Sequence, residues 1–116
     1  MHFKLIVAVV EDADTDAIVR AARSAGATGA TVINQASGEG YAPARSFLGL
    51  DPGGRRDVVL LLVEEHLSRQ ILETVGRTGR FDTSPGAGIA FQVDVEDAIG
   101  VISQERQLQA RVEEEL

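Results

Sequence analysis

Two almost uninterrupted apolar runs constrain the fold of this chain more than any other feature. They are FKLIVAVV at residues 3–10 and DVVLLLV at residues 57–63. A strand with one solvated face alternates apolar and polar residues, whereas a continuous run of Val, Ile and Leu is typical of a central strand buried on both faces. The two runs therefore predict two central strands of one sheet.

Each central strand is followed by a helical pattern and then by a weaker strand. The first helix is predicted to begin with Asp14 and Thr15 as caps and to end at Gly26, with a buried stripe of Ile18, Ala21, Ala22 and Ala25. The second helix opens at Glu64 and Glu65, carries the stripe Leu67, Ile71, Leu72 and Val75, and stops near Gly76 and Gly79. The weaker strands are predicted at 30–35 and 89–95. This order indicates an α+β, ferredoxin-like βαββαβ sandwich, an antiparallel sheet with two helices on one face.

The last strand alternates cleanly between two kinds of residue. Its apolar set is Ile89, Phe91, Val93 and Val95. The intervening residues are smaller or polar. Such alternation predicts an edge strand with one buried face.

Two helices can cover only one face of the predicted sheet. The central strands are apolar at almost every position, so the second face also requires burial. A chain of 116 residues has little left to cover it except another copy of itself. The residues therefore predict a homo-oligomer that packs sheet faces together.

The C-terminal tail, residues 103–116, follows a domain predicted to span residues 1–102. Leu108, Val112 and Leu116 are spaced four residues apart, with Ser103 as a possible cap. This pattern predicts a thin amphipathic helix that packs on a neighbour or frays, with binding of a partner as the less favoured alternative.

A long glycine-rich segment, residues 36–57, separates the two halves of the predicted fold. Loops of more than about 12–15 residues are uncommon in compact domains and are usually functional or disordered. This one also carries an aromatic pair, Tyr41 and Phe47. We therefore interpret it as a segment that becomes ordered on a ligand or partner.

Charge and composition exclude several classes of function. A net charge of -7 argues against a nucleic-acid-binding protein, and the absence of cysteine excludes disulfides and thiolate metal sites. The sequence contains no HExxH, Walker A or GxSxG pattern. The histidines are His2 and His66, and the latter lies beside Glu64 and Glu65 in a pattern more typical of a helix start than of a metal site. We expect a cytoplasmic protein that is not an enzyme and holds no metal.

Five segments together resemble the P-II signal-transduction family. They are AGATGATV (25–32), the long loop after it, RTGRF (77–81), PGAGIAF (85–91) and DVEDAIGV (94–101). The resemblance covers residues 3 to about 102. It implies a homotrimer with three adenine-nucleotide clefts, each at the junction of two subunits.

The resemblance also implies which residues line each cleft. One wall is the second strand and the base of the long loop, and the other is the glycine turn before the last strand. Glycine-flanked amides can approach a phosphate closely. On a structural interpretation these glycines only make turns. The implied ligand-binding residues are Thr31, Ser37, Gly38, Glu39, Gly40, Gly86, Ala87, Gly88 and Ile89.

Three cations expected from the family are absent. Ile89 replaces a lysine after the glycine turn, and Gly100 and Ile102 replace two arginines. A triphosphate desolvated without cationic partners binds weakly, so AMP or ADP is a candidate effector beside ATP. A different small ligand or anion is the alternative. The candidate substitutes for the absent cations are Arg80, Arg55 and Arg56.

The long loop is the implied partner-binding element, and the implied partner is a membrane transporter or an enzyme. Tyr41 lies near the start of the loop rather than its apex, so uridylylation of the kind found in nitrogen-regulatory P-II proteins is not expected. Tyr41 either packs on the body of the subunit or stacks on a ligand. The predicted partner-binding residues are Tyr41, Arg45, Phe47, Leu48, Arg55 and Arg56.

Two alternative functions for the whole protein stay open. One is a nucleotide-independent structural trimer, similar to copper-tolerance-type relatives of this fold, and the other is a weak nucleotide-hydrolysing enzyme.

Overall fold

The computed structural model describes residues 1–34 and 55–115. Several predicted site residues lie outside this part of the chain, as does Leu116. They are Ser37, Gly38, Glu39 and Gly40 of the ligand set and Tyr41, Arg45, Phe47 and Leu48 of the partner set.

Four antiparallel strands form a single sheet in the order β2-β3-β1-β4. The strands are β1 (Phe3–Glu11), β2 (Thr31–Asn34), β3 (Arg56–Glu64) and β4 (Gly88–Val95). The two continuous apolar runs are the central strands β1 and β3, as predicted. The ferredoxin-like topology is confirmed.

Three helices complete the described fold. They are α1 (Thr15–Ser24), which follows a 3₁₀ turn at Asp12–Asp14, α2 (Glu65–Gly79) and α3 (Ile102–Glu115). Gly26 has a φ of 126° directly after the C-cap of α1, which is the role its position in the sequence predicts. Glu64 ends β3 and caps α2, because its carboxylate accepts a hydrogen bond from the His66 backbone N–H at 2.7 Å.

The hydrophobic core lies between the sheet and the first two helices. Side chains alternate across a strand, so the even positions of β1 and the odd positions of β3 share the helix-covered face. The helices contribute the predicted stripes to this core. The fully buried members include Ile6, Ala8 and Val10 of β1, Val59 and Leu61 of β3, Ile18 and Ala22 of α1, and Leu67, Ile71 and Val75 of α2.

The opposite face of the sheet, called the open face below, is lined by apolar side chains that neither α1 nor α2 covers. Strand β4 exposes Phe91 by 39% and Val93 by 44%. The predicted edge strand is present, but Phe91 and Val93 of its apolar set are not buried in the single subunit. The register explains why: Ala8 pairs with Ala90 and Ile6 with Gln92, so the smaller or polar set faces the helices. Alternation showed that two faces exist, but it could not show which one meets the core.

The predicted tail helix is present as α3, and its apolar residues pack on the same chain. Leu108 is 1% exposed and belongs to the core cluster, and Val112 packs partly against that cluster. The Arg111 Nη2 also donates a hydrogen bond to the carbonyl of Ser24 at 3.1 Å. Leu108 thus acts as an anchor of the tail on its own subunit.

At one end of the sheet, Asp94 ties β4 to the N-terminus. Its Oδ1 lies 2.5 Å from His2 Nε2 and 3.0 Å from Lys4 Nζ. The hydrogen bond to His2, followed by that to Lys4, lowers the pKa of Asp94 below its ordinary value. Because the folded-state pKa is depressed, the stabilisation is present at neutral pH and is lost as the pH falls through the folded-state pKa.

We expect Asp94→Asn to reduce the decrease in the free energy of unfolding that occurs at acidic pH. The difference in free energy of unfolding between the wild type and the variant should stay constant above about pH 5 and shrink below it. Urea unfolding at a series of pH values measures this, with exposed Asp82→Asn as the control. The effect should be small since Asp94 is exposed. Identical acid limbs for the wild type and Asp94→Asn would contradict the assignment.

Candidate functional site

The glycine turn, defined here as residues 84–88, connects the end of α2 to β4. The C-cap of α2 is Arg80, which adopts a left-handed conformation with a φ of 56°. The Ser84 N–H donates to the Arg80 carbonyl at 2.9 Å, and the Ala87 N–H donates to the Ser84 carbonyl at 3.1 Å. Gly86 has a φ of 77°, a conformation that L side chains rarely adopt. The turn is therefore ordered by its own backbone hydrogen bonds.

Gly88 is required by packing within the same chain. A Cβ at this position would lie 2.6 Å from the Val9 carbonyl oxygen and would overlap the Phe81 ring. A glycine is thus explained here without any ligand. The structural interpretation of this glycine, as a residue that lets the turn close on β1, is supported by its contacts.

Arg56 reaches the glycine turn from the other side of β1. Its Nη2 donates to the Gly86 carbonyl at 2.8 Å and its Nη1 to the Ala87 carbonyl at 3.0 Å. The Nη1 also lies 3.8 Å from the Glu11 carboxylate. Strands in a sheet are about 4.8 Å apart, so the side chain spans roughly 10 Å from β3 across β1 to the turn before β4. We call this arrangement the arginine clamp.

The placement of Arg56 differs from its predicted role as a partner-binding loop residue. It begins β3 and is only 7% exposed, so its guanidinium faces its own subunit. The sequence could not show this, because the burial depends on backbone carbonyls about thirty residues away. Arg55, the adjacent residue, is exposed and remains compatible with the predicted role.

Residues 55–57 are fixed on several sides where the long segment ends. The Arg55 carbonyl accepts a hydrogen bond from the Asp12 N–H at 3.2 Å. The buried Asp57 carboxylate accepts a hydrogen bond from Thr15 Oγ1 at 2.6 Å, at the first residue of α1. Asp57 also pairs with Asn34, the last residue described before the long segment. Both described ends of that segment therefore meet at the end of the sheet that carries the glycine turn.

The two predicted walls of the cleft lie on opposite edges of the sheet. Thr31 is exposed on edge strand β2, whereas Gly86, Ala87 and Gly88 precede or begin edge strand β4. Three strand spacings, or about 14 Å, separate these edges. One small ligand cannot contact both walls within one subunit. A cleft that uses both therefore requires two copies of the chain.

Arg80, another candidate substitute for the absent cations, lines a different part of the surface from Arg56. It lines an open groove of about 680 Å³ between α2 and the edge strand β4, together with Arg69, Arg77 and Phe81. The Arg69 Nε in this groove is paired with Glu73 at 2.8 Å. Ile89 is half-buried at the start of β4, and Ile102 is 69% exposed. Within residues 1–34 and 55–115, the guanidinium that contacts the glycine turn is that of Arg56.

The group Glu64, Glu65 and His66 offers ligand atoms within 4.8 Å of one another. The Glu64 carboxylate is already engaged by the His66 N–H at 2.7 Å and by His66 Nδ1 at 2.5 Å. These contacts are those of a helix cap. The group is therefore explained by the start of α2.

Comparison with known proteins assigns the family. The model of the nitrogen regulatory protein P-II family matches residues 3–105, most of the chain. The chain belongs to the P-II family. The match covers the sheet, α1, α2 and the glycine turn, so the resemblance carried by the five sequence segments is confirmed. No curated protein sequence matches the chain significantly.

Solved structures share the fold of this P-II protein at low sequence identity. GlnK from B. subtilis has a TM-score of 0.63 and 19% identity, covering 89% of this chain and 93% of its own. CPII from Thiomonas intermedia K12, bound to ADP, AMP and acetate, has a TM-score of 0.61 and 18% identity, covering 84% and 90%. A putative PII-like signaling protein from Thermus thermophilus has a TM-score of 0.58 and 23% identity, covering 82% and 87%. None of the helices in the described part of the chain is long and apolar enough to cross a membrane.

We expect Gly88→Ala to destabilise the protein because its methyl group would press on the Val9 carbonyl oxygen. The loss in free energy of unfolding should be about 1–3 kcal/mol, the range for overpacking. Gly76→Ala is the matched control, since a Cβ there meets nothing within 4 Å. In the interior of a helix, that change should stabilise by roughly 0.5–1 kcal/mol. Urea unfolding measures both, and a Gly88→Ala variant as stable as the wild type would contradict the packing argument.

Proposed function

We propose that this P-II protein is a regulator that binds an adenine nucleotide at clefts between subunits of a homotrimer. The bound nucleotide controls a partner, a membrane transporter or an enzyme, through the segment 36–57. The protein acts by binding and not by catalysis. The family match supports a regulatory protein, and the geometry around Arg56 supports the link between ligand and segment.

The observation that carries this proposal is the contact between Arg56 and the glycine turn. The long segment ends where β3 begins, and the first residue of β3 donates to two carbonyls of the turn. A ligand bound at the turn is therefore adjacent to the residue that anchors the segment. A ligand shifts a conformational equilibrium only if its affinity differs between the two conformations. A change of conformation at this junction alters the contacts that the turn offers to a ligand.

The charges around the turn favour a nucleotide with few phosphates. Ile89, Gly100 and Ile102 bring no charge to the positions where the family places cations. The two terminal nitrogens of Arg56 already donate to backbone carbonyls. A triphosphate would be desolvated here with little compensation. The solved structure of CPII with ADP and AMP supports the choice of AMP or ADP.

The open face supports assembly into a trimer. Val93 and Phe91 of β4 and Ile33 of β2 are 44%, 39% and 51% exposed on this face in the single subunit. Burial of such side chains is worth about 25 cal/mol per Å² of apolar surface. The separation of the two cleft walls gives a second, independent reason for more than one copy.

A structural trimer that binds no nucleotide is the competing function. The packing around Gly88 supports it, because contacts within the subunit account for this glycine without a ligand. The two functions differ in one measurable property, the affinity for a nucleotide.

We expect AMP and ADP to bind more tightly than ATP, because the additional phosphate charge lacks a cationic partner. Isothermal titration calorimetry with AMP, ADP, ATP and GMP measures this, with GMP as the control for recognition of the base. Preferential binding of ATP would contradict the charge argument. Binding of none of these nucleotides would leave the structural trimer as the function.

We expect Phe91→Asp to dissociate the assembly, because it places a carboxylate in the apolar open face. Ile99→Asp is the matched control, since Ile99 is 99% exposed and lies outside the sheet. Light scattering should give a trimer for the wild type and Ile99→Asp and a smaller species for Phe91→Asp. A monomeric wild type would overturn the trimer.

A further inference from the structure

Arg56 is a buried cation whose side chain is used within its own subunit. It is 7% exposed, and its terminal nitrogens donate to the carbonyls of Gly86 and Ala87. Its Nε is buried without a hydrogen-bond partner among the described residues. A buried charge carries a desolvation penalty, and an apolar residue of similar volume is often neutral or stabilising instead. Stability alone is therefore a weak explanation for an arginine at this position.

The arginine clamp fixes the direction in which two peptide groups of the glycine turn face. In a trans peptide the carbonyl and the next N–H point in opposite directions. Because the Gly86 and Ala87 carbonyls are directed at Arg56, the N–H groups of Ala87 and Gly88 point away from it. The Ala87 N–H donates to the Ser84 carbonyl at 3.1 Å, which closes the turn. The clamp thus directs two carbonyl oxygens, the negative ends of their peptide dipoles, at a buried guanidinium.

The direction of these carbonyls matters because the ligand proposed for the turn is an anion. Backbone N–H groups attract a phosphate, whereas a carbonyl oxygen directed at it repels it. The family's lysine is replaced by Ile89, so backbone donors have to supply more of the attraction here. Within residues 1–34 and 55–115, the Gly86 N–H donates to no other residue. The turn therefore combines an available backbone donor with two carbonyls that are held away from a ligand.

We propose that Arg56 is a positioning residue for recognition of the nucleotide phosphate at the glycine turn. This role deepens the proposed function and rests on it for the identity of the ligand. The terminal nitrogens bind the chain and not the ligand, so Arg56 acts through the turn. Holding the carbonyls in place before binding reduces the cost of ordering the turn around the ligand. The planar fork of an arginine can hold both carbonyls at once, whereas a lysine ammonium is a compact point charge on a flexible chain.

Isothermal titration calorimetry with AMP and ADP tests this role. The variants are Arg56→Gln, Arg56→Lys and the matched control Arg55→Gln, which removes the same charge from the adjacent, exposed arginine. We expect Arg56→Gln to raise the Kd for AMP about tenfold, as for the loss of one charge-assisted hydrogen bond. The Kd for ADP should rise further, because a larger negative charge then meets the released carbonyls. Arg56→Lys should be intermediate, and Arg55→Gln should change either Kd by less than about threefold.

A core variant separates this role from a general loss of stability. Val75→Ala removes buried methyl groups from α2 and lowers global stability without touching the clamp. Its affinity for AMP and ADP should equal that of the wild type at temperatures where urea unfolding shows it to be folded. Arg56→Lys decides the matter if Arg56→Gln does not fold. Wild-type affinity in either Arg56 variant would overturn the proposal, and so would an equal loss in Val75→Ala or Arg55→Gln.

Hydrogen exchange measured by mass spectrometry tests the order of the turn without any ligand. We expect Arg56→Gln to raise exchange in peptides covering 84–88 about tenfold, and Arg55→Gln to leave it unchanged. Unchanged exchange in Arg56→Gln would overturn the role of the clamp in shaping the turn. If the wild type binds neither AMP nor ADP, the proposed function fails and this role fails with it. If the wild type and Arg56→Gln bind both nucleotides equally well, the role of Arg56 alone fails.

Discussion

The pairing of β1 with β3 determines most of what this subunit can do. Nine residue pairs, from Phe3 with Glu64 to Glu11 with Arg56, fix the two central strands against each other. This register places one set of side chains against α1 and α2 and leaves the other set on the open face. It also ends at Glu11 and Arg56, so the core packing and the arginine clamp follow from the same alignment. A slip of one residue would exchange the two faces and withdraw the clamp from the turn.

The polar contacts of the subunit concentrate where the described ends of the long segment meet the sheet. Asp57 is held by Thr15 on the helix-covered face, and Arg56 is held by the glycine turn on the opposite face. Two adjacent residues of one strand thus connect the same point of the backbone to both sides of the sheet. Binding sites commonly lie on loops that a rigid scaffold positions, and here the scaffold reaches the loop through these two side chains.

The order and type of the described elements could be predicted from the sequence, because hydrophobic periodicity and the glycine that follows α1, Gly26, are local signals. The direction of the apolar face of β4 could not, because period-two alternation is the same for either face. Arg56 was predicted to lie in the loop because it belongs to the polar stretch before the apolar run of β3. Its burial depends on carbonyls that only the folded chain brings near. Gly88 looked like part of an anion site, yet its contact with Val9 is a reason for glycine that no local pattern contains.

The position of Thr31 and the glycine turn on opposite edges of the sheet has a thermodynamic consequence. A ligand that touches both edges contacts two subunits and is, in effect, part of the interface. Its affinity and the strength of assembly are then linked by mass action: dilution of the protein weakens binding, and saturating ligand strengthens the assembly by the same free energy. For a protein with such a cleft, the protein concentration affects the bound fraction as much as the ligand concentration does.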